Sequence, residues 1–133
     1  MTLTLRWIGQ WADAVHPDRP VPQDHVDPHW PEVAMADIAH HLDQGFIVGW
    51  PLDGHRKCLI CGANVTRGPI QTDCHYVWRG ELAHYVKEHS VRLPASFEDH
   101  VARFYRQFED AEEDCQWWDA QPYSSAVAED ALN

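Results

Sequence analysis

Two cysteines separated by two residues, Cys58 and Cys61, are followed by two histidines, His84 and His89, in the stretch CLICGANVTRGPIQTDCHYVWRGELAHYVKEH. It holds three of the chain's four cysteines and three of its ten histidines. Zinc prefers tetrahedral nitrogen and sulfur ligands, and structural sites commonly take two cysteines from a tight turn and two ligands from a following helix. CLICG supplies the turn, with Gly62 relieving the geometry after the second sulfur. ANVTRGPIQTDCHYVW reads as a hairpin bending near Arg67-Gly68-Pro69, with strand character from Thr72 to Trp78. GELAHYVKEH reads as a helix carrying both histidines.

The ligand set read from this pattern is Cys58, Cys61, His84 and His89, binding one structural Zn²⁺. Cys58, Cys61, Cys74 and His84 form a competing set, and His75 a further candidate; on a strand, Cys74 and His75 would point to opposite faces. Four intervening residues place His84 and His89 about 140° apart on an ideal helix, so the last turn has to distort for both to bind. A redox dithiol is the other chemical reading, but no thioredoxin-like βαβ pattern surrounds the cysteines.

The run LAHYVKEHSVRLP after CLICG resembles a group of small bacterial proteins of unassigned function. They pair Cys-x-x-Cys-Gly with a tryptophan-containing strand and then Leu-Ala-His-Tyr-Val-x-x-His-x-Val-x-Leu-Pro. The likeness spans residues 38–98 and matches at Cys58, Cys61, Gly62, Thr72, Asp73, Trp78, Leu82, His84, Tyr85, His89, Leu93 and Pro94. It departs at Cys74, where the group has glycine, which argues against Cys74 as a ligand. The resemblance implies a zinc-stabilised fold and a bacterial source; it carries no activity.

Elsewhere the chain reads as mainly helical. Leu3, Trp7, Trp11 and Val15 lie four apart, one face of a helix weakened by Gly9. Five prolines from Pro17 to Pro31 make an extended connector, which Trp30 is expected to pin to the core. A second helix runs over 33–45, with Ala34, Ile38 and Leu42 on one face and Gly45 as its stop. FIVGWPL, 46–52, reads as an edge strand, followed by a turn at Asp53-Gly54. Ser96 and Asp99 suggest a capping box. Phe97, Val101, Phe104, Phe108, Ala111, Cys115 and Trp118 then form one stripe, predicting a long C-terminal helix. The expected fold is α+β: a zinc-braced hairpin plus helix, packed with N-terminal helices and that long helix. It forms one domain over 1–121 with its metal-binding core at 55–95, and 122–133 are a flexible tail.

Charge narrows the function. Twenty-one acids against ten Lys and Arg give a formal net charge of −11. Nucleic-acid affinity comes from basic side chains releasing counterions, and the finger-like helix offers only Lys87 against Glu81 and Glu88. A nucleic-acid-binding finger is therefore a second alternative. Four protein ligands would also leave zinc no position for water, so no catalytic residue is assigned. A zinc-dependent hydrolase or nuclease using Asp73 and His75 is the first alternative. The favoured reading is an acidic, zinc-stabilised protein-binding domain, with an immunity- or antitoxin-type inhibitor of a basic bacterial toxin as its specific form. Its candidate partner face is Glu109, Asp110, Glu112, Glu113 and Asp114, with Trp117 as an aromatic anchor. No membrane-length apolar run and no signal-like start are visible, and the thiol pattern fits a reducing compartment, so the expected location is cytoplasmic.

Overall fold

The computed structural model describes residues 2–51, 56–65 and 68–122. The chain forms an α+β fold, in the order β1 (Arg6–Trp7), a 3₁₀ turn (Pro22–His25), α1 (Glu32–Asp43), β2 (Phe46–Gly49), β3 (Arg56–Lys57), β4 (Asn64–Val65), β5 (Ile70–Thr72), β6 (Tyr76–Arg79), α2 (Leu82–His89), α3 (Ala95–Glu109) and α4 (Cys115–Asp119). It divides into two units, Met1–Val101 and Ala102–Asn133, with the boundary inside α3.

In the first unit, one sheet has the order β1-β6-β5-β2, and a separate two-stranded ladder joins β3 to β4. The strands β5 and β6 pair antiparallel, with Thr72 opposite Val77 and Gln71 opposite Trp78. At their far end Gly68 and Gly80 approach so closely that a Cβ on Gly68 would stand 2.5 Å from the Gly80 Cα. β2 is an edge strand, as its composition predicts, and exposes Phe46, Ile47 and Val48.

The segment expected to be the first helix is instead strand and loop. Arg6 and Trp7 pair in parallel with Tyr76 and Val77 of β6. The four-residue spacing of Leu3, Trp7, Trp11 and Val15 misled because a non-local ladder overrides local periodicity. Gly9 sits at φ +72°, and a Cβ there would meet Leu82 Cδ1 at 2.6 Å, so the chain bends here and approaches α2 closely.

The proline-rich connector runs through the 3₁₀ turn, and Trp30 is 6% exposed, pinned as expected. The next helix, α1, buries Ile38, Ala39, His41 and Leu42 and packs on α2. It ends at Asp43, before Gly45, and Gly45 serves another purpose. A Cβ on it would stand 2.6 Å from Cζ2 of Trp78. Trp78 is fully buried and donates its indole N–H to the Leu42 carbonyl at 3.2 Å, locking β6 to α1.

The predicted strand from Thr72 to Trp78 is interrupted by a turn at Asp73–His75. Thr72 Oγ1 donates to the Tyr76 carbonyl at 2.6 Å and accepts the Cys74 N–H at 3.0 Å, while Asp73 Oδ1 accepts from His75 and Tyr76. Short polar side chains here take the place of ladder bonds, which alternation of apolar residues does not reveal. Cys74 adopts φ +79°, a conformation that favours glycine, and its side chain is exposed. The bend expected at Arg67 and the turn at Asp53-Gly54 lie outside the described residues, as does the expected tail from 123 onward.

Helix α3 starts one residue before Ser96, and Pro94 O accepts the N–H groups of Phe97 and Glu98, so Ser96 is not the cap. In the second unit the predicted single long helix is broken. Its first part stops at Glu109, residues 110–114 are non-helical, and α4 starts afresh with Asp114 Oδ1 accepting the Trp117 N–H at 3.2 Å. Five acids in 109–114 repel one another and oppose the negative end of the helix dipole, while Asp114 is a strong N-cap. Phe104 packs on Tyr105 and Phe108. Among the described residues no helix is long and apolar enough to cross a membrane.

Candidate metal centre

The ladder β3–β4 brackets the cysteine turn: Arg56 faces Val65, Lys57 faces Asn64, and the Cys58 N–H donates to the Ala63 carbonyl at 2.8 Å. Gly62 closes the turn by donating to the Cys58 carbonyl at 2.9 Å, with φ +72°. The turn is also anchored from outside. Leu59 N–H donates to the Tyr85 hydroxyl at 3.0 Å, and Gln23 Nε2 to the Leu59 carbonyl at 2.6 Å. Cys58 is buried in a cluster with Val65, Tyr85 and Val91, against which Trp11 and Ile60 pack.

The opposite wall is α2, whose C-terminus makes the distortion that two histidines five positions apart require. Ser90 takes a left-handed conformation, φ 52° and ψ 36°, and its N–H reaches back to the Tyr85 carbonyl, which also accepts the Val91 N–H at 3.1 Å. A turn closed by an i→i−5 bond holds more residues than an α-turn, which brings positions five apart toward one face. The rings of His84 and His89 accordingly lie 5.1 Å apart.

One donor atom from each of Cys58, Cys61, His84 and His89 lies within 4.8 Å of the others. Cys61 Sγ and His84 Nε2 are 3.7 Å apart. Nε2 of His89 is buried and has no hydrogen-bond partner among the described residues, as suits a nitrogen that ligates a cation. Burial pushes the Cys58 thiol up, but backbone N–H groups of Cys61 and Ile60 turned toward the sulfur outweigh it and bring the thiol below its ordinary value. These four residues can hold a metal ion, and Cys74 and His75 are not part of the group.

Asp73 and His75 stand elsewhere. Asp73 is buried, with its carboxylate between His41 and His100, while His75 is exposed and its ring lies 5.1 Å from that of His100. Sequence reasoning did not single out His41 and His100. The available signal was position: each lies three residues after a core residue, Ile38 and Phe97, on the inward stripe of its helix. Burial pushes the Asp73 carboxyl up, but hydrogen bonds from His41, the Tyr76 and His75 N–H groups, and His100 outweigh it and hold it well below the usual carboxylate range.

The residues expected to meet a partner are all exposed. Glu109 ends α3, Asp110, Glu112 and Glu113 occupy the break, Asp114 caps α4, and Trp117 is 64% exposed with Trp118 beside it at 52%.

The chain matches no protein-family model, no curated protein and no solved structure, so these side chains alone carry the functional argument.

Proposed function

We propose that this chain is an acidic, zinc-stabilised protein-binding domain whose partner is a basic protein, with a bacterial toxin inhibited by an immunity-type contact as the class of partner it best fits. The observation that carries the reading is the convergence of two sulfurs and two imidazoles with their donor atoms within 4.8 Å. Two soft thiolates with two imidazoles are a zinc donor set, and four protein ligands complete its coordination, which suits a brace and not a catalyst. The thiolates neutralise the ion, so the site leaves the strongly acidic character of the chain unchanged.

Support for the partner comes from residues 109–118. Five exposed acidic side chains at 109–114 precede the exposed Trp117 in the chain, the combination of steering charge and aromatic anchor that protein interfaces use. The nucleic-acid alternative has less support. Lys87 pairs with Asp43 at 2.6 Å, and Arg92 lies between Asp27 and Glu98, so these cations near the metal centre already have acidic partners. A hydrolase built on Asp73 and His75 would need a cation other than the one the cysteines hold.

Isothermal titration with Arg- and Lys-rich peptides tests the partner surface. Binding should weaken about tenfold in Trp117→Ala, the effect of losing one anchor worth about 1.4 kcal/mol. If Trp117→Ala binds as tightly as the parent and only salt weakens the complex, the segment is a general acidic surface and the reading fails.

A further inference from the structure

Asp73 uses its two carboxylate oxygens for separate purposes. Oδ1 accepts the N–H groups of His75 at 2.9 Å and Tyr76 at 2.8 Å, which completes the side-chain-mediated turn between β5 and β6. Oδ2 meets Nε2 of His41, from α1, at 2.8 Å and Nε2 of His100, from α3, at 2.7 Å. The turn requires neither histidine. Nor does stability account well for them, because a buried polar triad is commonly no more stabilising than apolar residues of the same volume.

The geometry points to a second metal site, in which His41 Nε2, His100 Nε2 and Asp73 Oδ2 form a two-histidine, one-carboxylate face for a divalent transition-metal ion. The three donor atoms lie within 4.8 Å of one another. Two metal–ligand bonds of about 2.1 Å at a right angle hold their donors about 3 Å apart, close to the carboxylate–imidazole separations of 2.8 and 2.7 Å. In the metal-free cluster Asp73 Oδ2 is the shared hydrogen-bond partner of both rings, since a carboxylate oxygen accepts. When a cation takes Nε2, each neutral imidazole carries its proton on Nδ1 instead, so the ring coordinates without net loss of a proton.

The surroundings suit such an ion. The His41 ring lies 5.9 Å from Trp78 and 5.8 Å from Phe97, and Tyr76 packs 5.0 Å from Phe97, so aromatic rings line the inner side. On the outer side His100 opens on a pocket of about 360 Å³ lined by Thr4, Arg6, His75 and Tyr76. Three protein donors leave coordination positions free, and His75 stands on the pocket side where a fourth donor would enter. This site is chemically distinct from the cysteine centre because it contains no sulfur, and it stands or falls independently of it.

The test is Co²⁺ binding to the protein whose cysteine centre already carries one equivalent of zinc, followed by equilibrium dialysis, visible spectroscopy and long-range ¹H–¹⁵N spectra of the histidine rings. One further equivalent is expected, with weak d–d bands, no thiolate charge transfer, and shifted ring signals of His41 and His100. His100→Ala should lose that equivalent while keeping the zinc, and His29→Ala, at an exposed histidine of the connector, should keep both. Failure to take up a second equivalent at millimolar Co²⁺ overturns the proposal. So does a second equivalent that survives in His100→Ala, or one that leaves the His41 and His100 rings unshifted; the ring spectra of the unsubstituted protein decide the matter even if the variant does not fold.

Discussion

Cys61 Sγ and His84 Nε2 lie 3.7 Å apart although 23 positions separate them in the chain. Neither residue's own element creates that proximity. The cysteine is presented by a turn closed through Gly62 and held by Tyr85 and Gln23, and the histidine by a helix whose last turn is wound wide at Ser90. Cys58 and His89 complete the group from the same two elements. Tyr85, between the histidines, donates no ligand but ties both walls together through its hydroxyl and its packing on Trp11.

Removing one ligand should therefore act on both metal and fold. His89→Ala is expected to weaken zinc binding by at least about 100-fold, more than loss of a supporting residue typically does, and to lower the melting temperature. Cys74→Ser should leave affinity unchanged, because Cys74 lies outside the donor group. Competition with a chromophoric chelator distinguishes the two; equal losses in both variants would contradict the assignment.

Cys74→Gly should stabilise the protein. A non-glycine residue in the left-handed region costs roughly 1–2 kcal/mol, and glycine's extra unfolded-state freedom returns roughly 0.5–1 kcal/mol of that. With φ at +79° and an exposed side chain, a net gain of about 0.5–1 kcal/mol is expected in urea unfolding. A destabilised Cys74→Gly would mean that the sulfur makes a contact of its own.

The group of four side chains that could hold a metal was legible in the sequence because metal chemistry needs few residue types at short spacings. Also legible were α1, from Ala34, Ile38 and Leu42, and β2, from its β-branched run before Pro51. The elements that the sequence concealed are those set by distant partners. Trp7 and Trp11 have helical spacing, yet Trp7 belongs to a ladder with a strand about seventy residues later. The turn at Asp73 is built by side chains that imitate a backbone, and α3 ends where the acid run starts although the apolar stripe continues to Trp118. His41, Asp73 and His100 meet from three elements, with separations of 32 and 27 residues, and no local pattern encodes that.

Gly45→Ala should destabilise by about 2 kcal/mol, the usual range for forcing volume into a packed core. The added methyl would meet Cζ2 of Trp78 at 2.6 Å and the Cβ of Gln71 at 3.1 Å, and Trp78 cannot retreat without losing its bond to the Leu42 carbonyl. A near-neutral substitution in thermal or urea unfolding would show that β6 and α1 are not locked through this ring.

Arg92 joins the connector to the start of α3, bonding Asp27 Oδ2 and Glu98 Oε1 at 2.9 Å each and lying over the Trp30 ring at 5.6 Å. The Arg92 guanidinium, with the His29 N–H, holds the Asp27 carboxyl below its ordinary value. A depressed carboxyl stabilises the fold fully above its unfolded value near 4 and progressively less as pH falls through the folded one. The melting-temperature gap between the parent and Arg92→Ala should thus be constant from pH 8 to 5 and narrow below pH 4. It should also narrow in high salt. A gap that widens on acidification has the wrong sign for this network.

The most direct measurement is the visible spectrum of the apo-protein after one equivalent of Co²⁺, taken with and without added anions and followed by chelation. A brace formed by Cys58, Cys61, His84 and His89 predicts intense tetrahedral d–d bands, sulfur-to-cobalt charge transfer from two thiolates, no response to anions, and loss of folded structure when the metal is withdrawn. A weak, anion-sensitive spectrum without thiolate charge transfer, or a fold indifferent to chelation, would contradict it.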